Sequence, residues 1–202
     1  MAYDNSEYEN DGSLKEGPTW TTDCKSGSCL EFDGLDDYVE IPDSEELSVT
    51  EDLTIEAWIY RNDYISGVDR HTIISKDVQY EFDLVAEWDD SYGFYHGNGN
   101  DLDGYWSIVS NGAPAGEWIH IVLVRDHTSK TFNGYKNGFL ENSLDYKNPS
   151  NPIADGPYSV NIGRRQDYNS NPSQYFDGRI DEVKIYNRAL EQEEVEALYL
   201  HY

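Results

Sequence analysis

Carboxylates dominate the chemistry open to this chain. In Phe32-Asp33-Gly34-Leu35-Asp36-Asp37 a carboxylate sits beside the glycine of a tight turn, so its oxygens and a free backbone carbonyl lie close together. Asp181 is an acid set in the strand-like run Ile180-Asp181-Glu182-Val183. A buried carboxylate without a partner is costly, and a hard cation taking about six to eight oxygens satisfies several at once, so calcium is the expected cofactor. The alternative is that both aspartates cap turns by accepting backbone N–H groups. Glu81, Asp83 and Glu87 share one face of a strand-like segment, which invites a paired-acid glycoside hydrolysis reading, but Ala86 stands where the last acid of such a strand should be and the reading is discounted. Asn98, Asn100, Asp101 and Asp103 interleave with glycines like a cation loop but lack a closing glutamate. His120 has no serine, cysteine or acid placed in sequence to complete a triad, and reads as a core histidine bonded to backbone. Cys24 and Cys29 are the only cysteines. A zinc site wants about four N or S ligands and the redox spacing is not met, so a disulfide closing a small turn in an oxidising compartment is the better reading.

The elements that must position these groups are strands. Leu53-Thr54-Ile55-Glu56-Ala57-Trp58-Ile59-Tyr60 alternates apolar and larger polar or aromatic residues, and Tyr80 to Glu87 puts Phe82, Leu84 and Ala86 on one face. Glu117 to Arg125 is nearly continuous in apolar residues and reads as a central strand covered on both sides. Asn137-Gly138 suits a tight type I′ hairpin turn. Helix is expected only over 189–200, where Val195, Leu198 and Tyr199 recur at helical spacing.

Asp and Glu number 40 against 14 Lys and Arg, a net charge of −26, which excludes nucleic acid as a partner. Self-repulsion at that charge is screened within about 3 Å at ~1 M salt, so a brine-adapted surface is expected. No run of about 18 apolar residues spans a bilayer, so membrane insertion is not expected. One domain covering 1–202 is read, as a piece of a longer secreted or surface protein, monomeric in isolation.

CLEFDGLDDYVEIP (29–42), TIEAWI (54–59), the strand Trp118-Ile119-His120-Ile121-Val122, Asn161-Ile162-Gly163 and GRIDEVKIYNRALEQEEVEALY (178–199) together resemble the laminin-G-like, concanavalin A-like jelly-roll family. The resemblance implies an all-β, two-sheet antiparallel jelly-roll sandwich with one short C-terminal helix. It places the Tyr38 and Ile185 strands near each other. It also implies a structural calcium held by Asp33 and Asp181 through side chains, with Gly34 or a carbonyl from residues 4–12 completing the shell. The expected function is a non-catalytic, extracellular or cell-surface recognition module for a glycan or surface protein. A glycoside hydrolase or lyase of the same fold and a structural spacer are the alternatives. The aromatic and basic candidates for ligand contact are Trp88, Tyr92, Tyr95, Trp106, Arg164 and Tyr168.

Overall fold

The computed structural model describes residues 1–62, 70–76, 81–87, 91–97, 102–109, 114–148, 153, 155–165 and 174–202, with the backbone path alone for 102–107. One sheet runs, in spatial order, β1 (Ser13–Lys15), β4 (Tyr38–Ile41), β13 (Val160–Ile162), β6 (His71–Lys76), β7 (Phe82–Ala86), β8 (Tyr92–Gly97) and β9 (Leu102–Val109). The other runs β12 (Phe139–Asp145), β11 (Thr131–Lys136), β10 (Trp118–Asp126), β5 (Leu53–Arg61), β14 (Asp177–Tyr186), β3 (Cys29–Asp33) and β2 (Thr19–Thr21). Every pairing is antiparallel. The expected jelly-roll sandwich is therefore the fold.

The period-2 alternation builds the interlayer core. Leu53, Ile55, Ala57 and Ile59 of β5, Ile119, Ile121 and Leu123 of β10, and Phe82, Leu84 and Ala86 of β7 all join one buried cluster. The opposite face of β5 and β10 is covered too. Helix α1 (Gln192–His201) starts three residues later than expected, and the Glu194 carboxylate accepts the Glu191 N–H at 3.0 Å. Val195 packs with Leu190 against Val122, Val124 and Tyr135. Next to this patch, Glu56 accepts hydrogen bonds from His120 Nε2 at 3.1 Å, Lys184 Nζ at 3.3 Å and the Tyr186 hydroxyl at 3.2 Å. His120 is thus bound to a carboxylate rather than to backbone, because strand register sets it beside Glu56. Burial pushes the Glu56 carboxyl up, and the His120 hydrogen bond and Lys184 charge outweigh it and leave it below its ordinary value.

One placement differs from expectation. The opening motif divides: β3 pairs with β14, while β4 crosses into the opposite sheet between β1 and β13, so the Tyr38 and Ile185 strands are not sheet neighbours. The turn at 34–37 is what carries the chain from one layer to the other. The polar N-terminal segment likewise contributes an edge strand to each sheet, β1 and β2. Asn137 and Gly138 form the expected tight turn, at φ 50° and 81°.

β14 passes close to β5 at Gly178. A Cβ there would stand 2.1 Å from the Tyr60 carbonyl oxygen, and the residue's φ is +141°. Gly178→Ala is therefore expected to destabilise the domain by at least about 3 kcal/mol, lowering Tm by roughly 6–12 °C for a chain of this length. Thermal circular dichroism measures it, and an unchanged Tm would show that β14 does not sit this close to β5.

Candidate functional site

The sequence Phe-Asp-Gly occurs twice, at Phe32-Asp33-Gly34 and Phe176-Asp177-Gly178. Antiparallel pairing of β3 with β14 sets Asp33 opposite Asp177, and the two phenylalanine rings meet edge to face at 6.3 Å. The aspartates, pointing away from that aromatic pair, form the floor of an open cleft of ≈ 370 Å³ lined by Glu16, Gly17, Thr19, Glu31, Phe32, Asp33, Asp37, Asn62 and Asp177. Five of these lining residues are acids and none is a lysine or arginine.

Local hydrogen bonding fixes the carboxylates. Asp33 Oδ1 accepts the Leu35 N–H at 2.9 Å, making an Asx turn, and Asp37 Oδ2 accepts the Asp33 N–H at 3.1 Å. Asn62, the residue after β5, holds Asp177, its side-chain amide donating to Asp177 Oδ1 at 2.9 Å and its N–H to the Asp177 carbonyl at 3.2 Å. Gly34 is pressed onto Asp177, with a hypothetical Cβ 2.8 Å from the Asp177 Cβ. Asp37 is only 6% exposed. Burial pushes its carboxyl above the ordinary value, and the charges of Asp33 and Asp36 add to the rise against the Asp33 hydrogen bond.

Carboxylate oxygens of Asp33, Asp36 and Asp37 lie within 4.8 Å of one another. That span is compatible with metal–oxygen distances of about 2.4 Å, and carboxylate oxygens are hard donors of the kind calcium takes, although three of them supply only part of its roughly six to eight ligands. Asp181 does not join it. It lies four residues along β14 from Asp177, roughly 13 Å at the rise of a strand, and its carboxylate accepts the N–H groups of Ser26 and Glu182, each at 2.9 Å. This is the turn-capping alternative, realised beside the Cys24–Cys29 disulfide, whose presence matches the expectation. Asp36, Asp37 and Asp177 are the acids that sequence reasoning did not name for this site; the first two stand in the same turn as Asp33, and the repeated Phe-Asp-Gly was the signal that marked Asp177.

The expected ligand-contact residues scatter. Trp88 and Tyr168 lie outside the described residues, as does most of the 98–103 loop, and Trp106 is described only through the backbone of β9. Tyr92 is fully buried in the interlayer core with Phe82 and Leu84 and offers no platform, because even positions of β8 face inward. Tyr95 faces the other way, donating its hydroxyl to Glu87 Oε1 at 3.2 Å beneath the Arg70 guanidinium, 5.0 Å above its ring. Arg164 lies 3.5 Å over the Tyr38 ring and donates Nε to Asn161 Oδ1 at 3.1 Å.

Of the three acids of the β7 region on this same face, two are closely paired. Glu81 pairs with buried Lys76 at 2.6 Å and accepts the Gly156 N–H, while Glu87 pairs with Arg70 at 2.8 Å. Asp83 has Arg165 Nε 3.9 Å away.

Two antiparallel seven-stranded sheets with one C-terminal helix make the fold a lectin-like jelly roll. The chain belongs to the Laminin_G_3 family, described as the concanavalin A-like lectin/glucanases superfamily, whose model matches residues 32–196. No curated protein sequence matches it. Among solved structures it is similar to the receptor binding domain of botulinum neurotoxin C/D mosaic serotype, at TM-score 0.76 and 14% identity over 98% of this chain and 48% of that one. It is also similar to the botulinum neurotoxin serotype D ligand binding domain in complex with N-acetylneuraminic acid, at 0.75 and 15%, with the same coverages. The binding domain of botulinum neurotoxin DC in complex with rat synaptotagmin II gives 0.73 and 15%, again over 98% and 48%. The chain thus spans about half the length of these structures, and at such identities they show the fold.

Burial pushes both Glu81 and Asp83 up to about 7, from ordinary values of 4.5 and 3.8, against the attraction of Lys76 for the first and of Arg165 and Arg70 for the second. A carboxyl raised in the folded state stabilises the fold below its unfolded value and loses that contribution as pH rises through the folded value. Stability is therefore expected to carry a falling component between about pH 4 and pH 7, at most ~1.4 kcal/mol per pH unit for each group. Urea titrations at pH 5, 6 and 7 measure it. Asp83→Asn should flatten the slope, and an identical slope in the variant would place the titration elsewhere.

Proposed function

We propose that this domain is a non-catalytic extracellular recognition module that binds a glycan or a cell-surface protein, carries one calcium ion in the acidic cleft, and has a surface adapted to high salt. The supporting observation is the pairing of the two Phe-Asp-Gly segments, which gathers five acids around a cleft whose lining contains no lysine or arginine. In this reading Asp33, Asp36 and Asp37 hold the ion through their carboxylates, and Asp177 and Asn62 stiffen the wall behind them. Bound calcium supplies the positive charge that the nearly buried Asp37 lacks.

A fold shared with receptor-binding domains supports recognition rather than chemistry. The superfamily includes glucanases, but paired-acid hydrolysis requires two carboxyls free to face one glycosidic bond. Glu81 is tied to Lys76 and Glu87 to Arg70, which argues against that use. The disulfide supports an oxidising location outside the cytosol. Among the described residues no helix is long and apolar enough to cross a membrane. A net charge of −26 supports the salt adaptation, since screening lowers the self-repulsion of the folded state.

Calcium at a hundredfold excess over its Kd should add about 2.7 kcal/mol of stability. In 2 M NaCl, Tm is expected to rise on adding calcium and fall on adding EDTA, and Asp37→Asn should abolish the response while Asp181→Asn keeps it. A Tm indifferent to calcium removes the ion from this reading. Circular dichroism over a salt series tests the surface: equal stability without added salt would remove the brine adaptation.

A further inference from the structure

One lysine of this acidic chain is enclosed by acids. Lys76, the last residue of β6, is fully buried, and its ammonium meets Glu81 Oε1 at 2.6 Å and Asp43 Oδ1 at 2.8 Å, with Asp155 Oδ1 at 3.8 Å. It also donates to the Leu47 carbonyl at 3.1 Å and to the Ser48 hydroxyl at 3.4 Å. An ammonium has only three N–H donors, so these acceptors outnumber what it can serve, and one positive charge stands among three acids. Glu81 is buried like the lysine, accepts the Gly156 N–H, and has its Oε2 without a hydrogen-bond partner among the described residues. Asp43 reaches the surface, its side chain 35% exposed.

The members of this group are placed to react with one another. Burial pulls the Lys76 ammonium down, and the hydrogen bonds of Asp43 and Glu81 outweigh it and hold it above its ordinary value, so the resting state is an ion pair. That pair holds the same protons as an amine beside a carboxylic acid, and one proton moved along the 2.8 Å contact interconverts the two. Burial raises the Glu81 carboxyl to about 7, so near neutral pH it is available both as an acid and as a carboxylate base. An Asp43 oxygen at 2.8 Å brings the carboxyl carbon close to the roughly 3–3.5 Å of a near-attack contact, where effective molarities reach about 10⁵–10⁸ M. Joining the two groups as an amide also removes two charges from a buried site, where each is costly to keep.

We propose that Lys76 and Asp43 condense into an internal isopeptide bond, with Glu81 as the catalytic residue that carries the proton. After a proton passes from Nζ to the Asp43 carboxylate, the nitrogen lone pair attacks the Asp43 carboxyl carbon and the N–C bond forms. Glu81, as the carboxylate, takes the proton that the nitrogen sheds and delivers it to the departing hydroxyl. The C–O bond breaks, and one water leaves past Asp43 to the surface. An ammonium and a carboxylate thereby become an amide and a water, Glu81 is regenerated, and no oxidant, reductant or cofactor takes part. The bond closes residues 43–76 into a covalent ring that runs through both layers, because β5 and β6 lie between its ends and belong to opposite sheets. Salt that screens an ion pair leaves such a tie untouched. The assignment is independent of what the domain binds.

Intact-mass spectrometry of the purified, folded domain is the test. The expected wild-type mass is one water below that of the sequence with its disulfide, and fragmentation of a digest should yield one branched peptide joining Asp43 to Lys76. Asp43→Ala and Glu81→Gln, each first shown to be folded by circular dichroism, should keep the full mass of their sequences. Should Glu81→Gln fail to fold, Asp43→Ala decides the matter, since the Asp43 side chain is partly exposed. A wild-type mass with no water lost overturns the bond and leaves Lys76 as a buried ion pair. A water loss that persists in Asp43→Ala overturns it as well, because an Asp-Gly turn that cyclises gives the same change of mass. A loss that persists in folded Glu81→Gln overturns the part given to Glu81.

Discussion

The register of β14 between β3 and β5 is the constraint on which the rest of the molecule depends. It sets Phe-Asp-Gly against Phe-Asp-Gly, so the aromatic rings close the core while the aspartates open a cleft on the other side. Against β5 it requires Gly178 to pass within van der Waals contact of the Tyr60 backbone. Further along, β14 changes register between Asp181 and Lys184, with Glu182 at φ 49°, and this turns Lys184 and Tyr186 onto Glu56. A one-residue slip would reverse every one of these placements, because side chains in a strand alternate between faces.

Charge burial is managed by clustering. The chain carries 40 acids, yet the acids that reach the interior mostly come with a cation or a set of N–H donors. Glu56 has His120 and Lys184, Glu81 has Lys76, Glu87 has Arg70, and Asp181 has two backbone N–H groups. Each such unit joins separate elements: the Glu56 unit lies where α1 meets three strands, and Lys76 ties β6 to the 43–48 segment through Asp43 and the Leu47 carbonyl. Breaking one partner of such a pair leaves an uncompensated charge, which is why they favour one arrangement of the chain over its alternatives. Asp37 of the cleft, which accepts one backbone N–H, and Asp83, 3.9 Å from Arg165, are the exceptions to close pairing.

The two sheets divide their outward faces accordingly. The sheet containing β5 and β10 is closed by α1, with the rings of Trp58, His120 and Tyr199 in mutual contact at centroid distances of 4.9, 5.6 and 6.0 Å and Lys25 from the disulfide loop over Trp58. The outward face of the sheet containing β6, β7 and β8 is buried as well and carries a cross-strand polar row of Asn161, Ser75, Asp83 and Tyr95, none more than 5% exposed, with Val85 packed against Tyr95 beside it.

By itself the sequence determined the class of fold, the strands and their inward faces, the single helix, the disulfide and the Asn137-Gly138 turn. These are written in local signals: alternation over eight residues, spacing of five between cysteines, residue types suited to positive φ. It also marked Asp33 and Gly34 as a turn with free oxygens. Which distant acid would face Asp33 was decided only by tertiary structure, because Asp177 and Asp181 are both plausible from composition and the choice depends on a pairing register set across 144 residues of chain. The same holds for Tyr92 and Tyr95, three apart in one strand and therefore on opposite faces, one in the core and one in the polar row. His120 and Glu56 became partners, and Asp83 came under Arg165, for the same reason: alternation says that residues share a face, and only long-range pairing says which residues stand on it together.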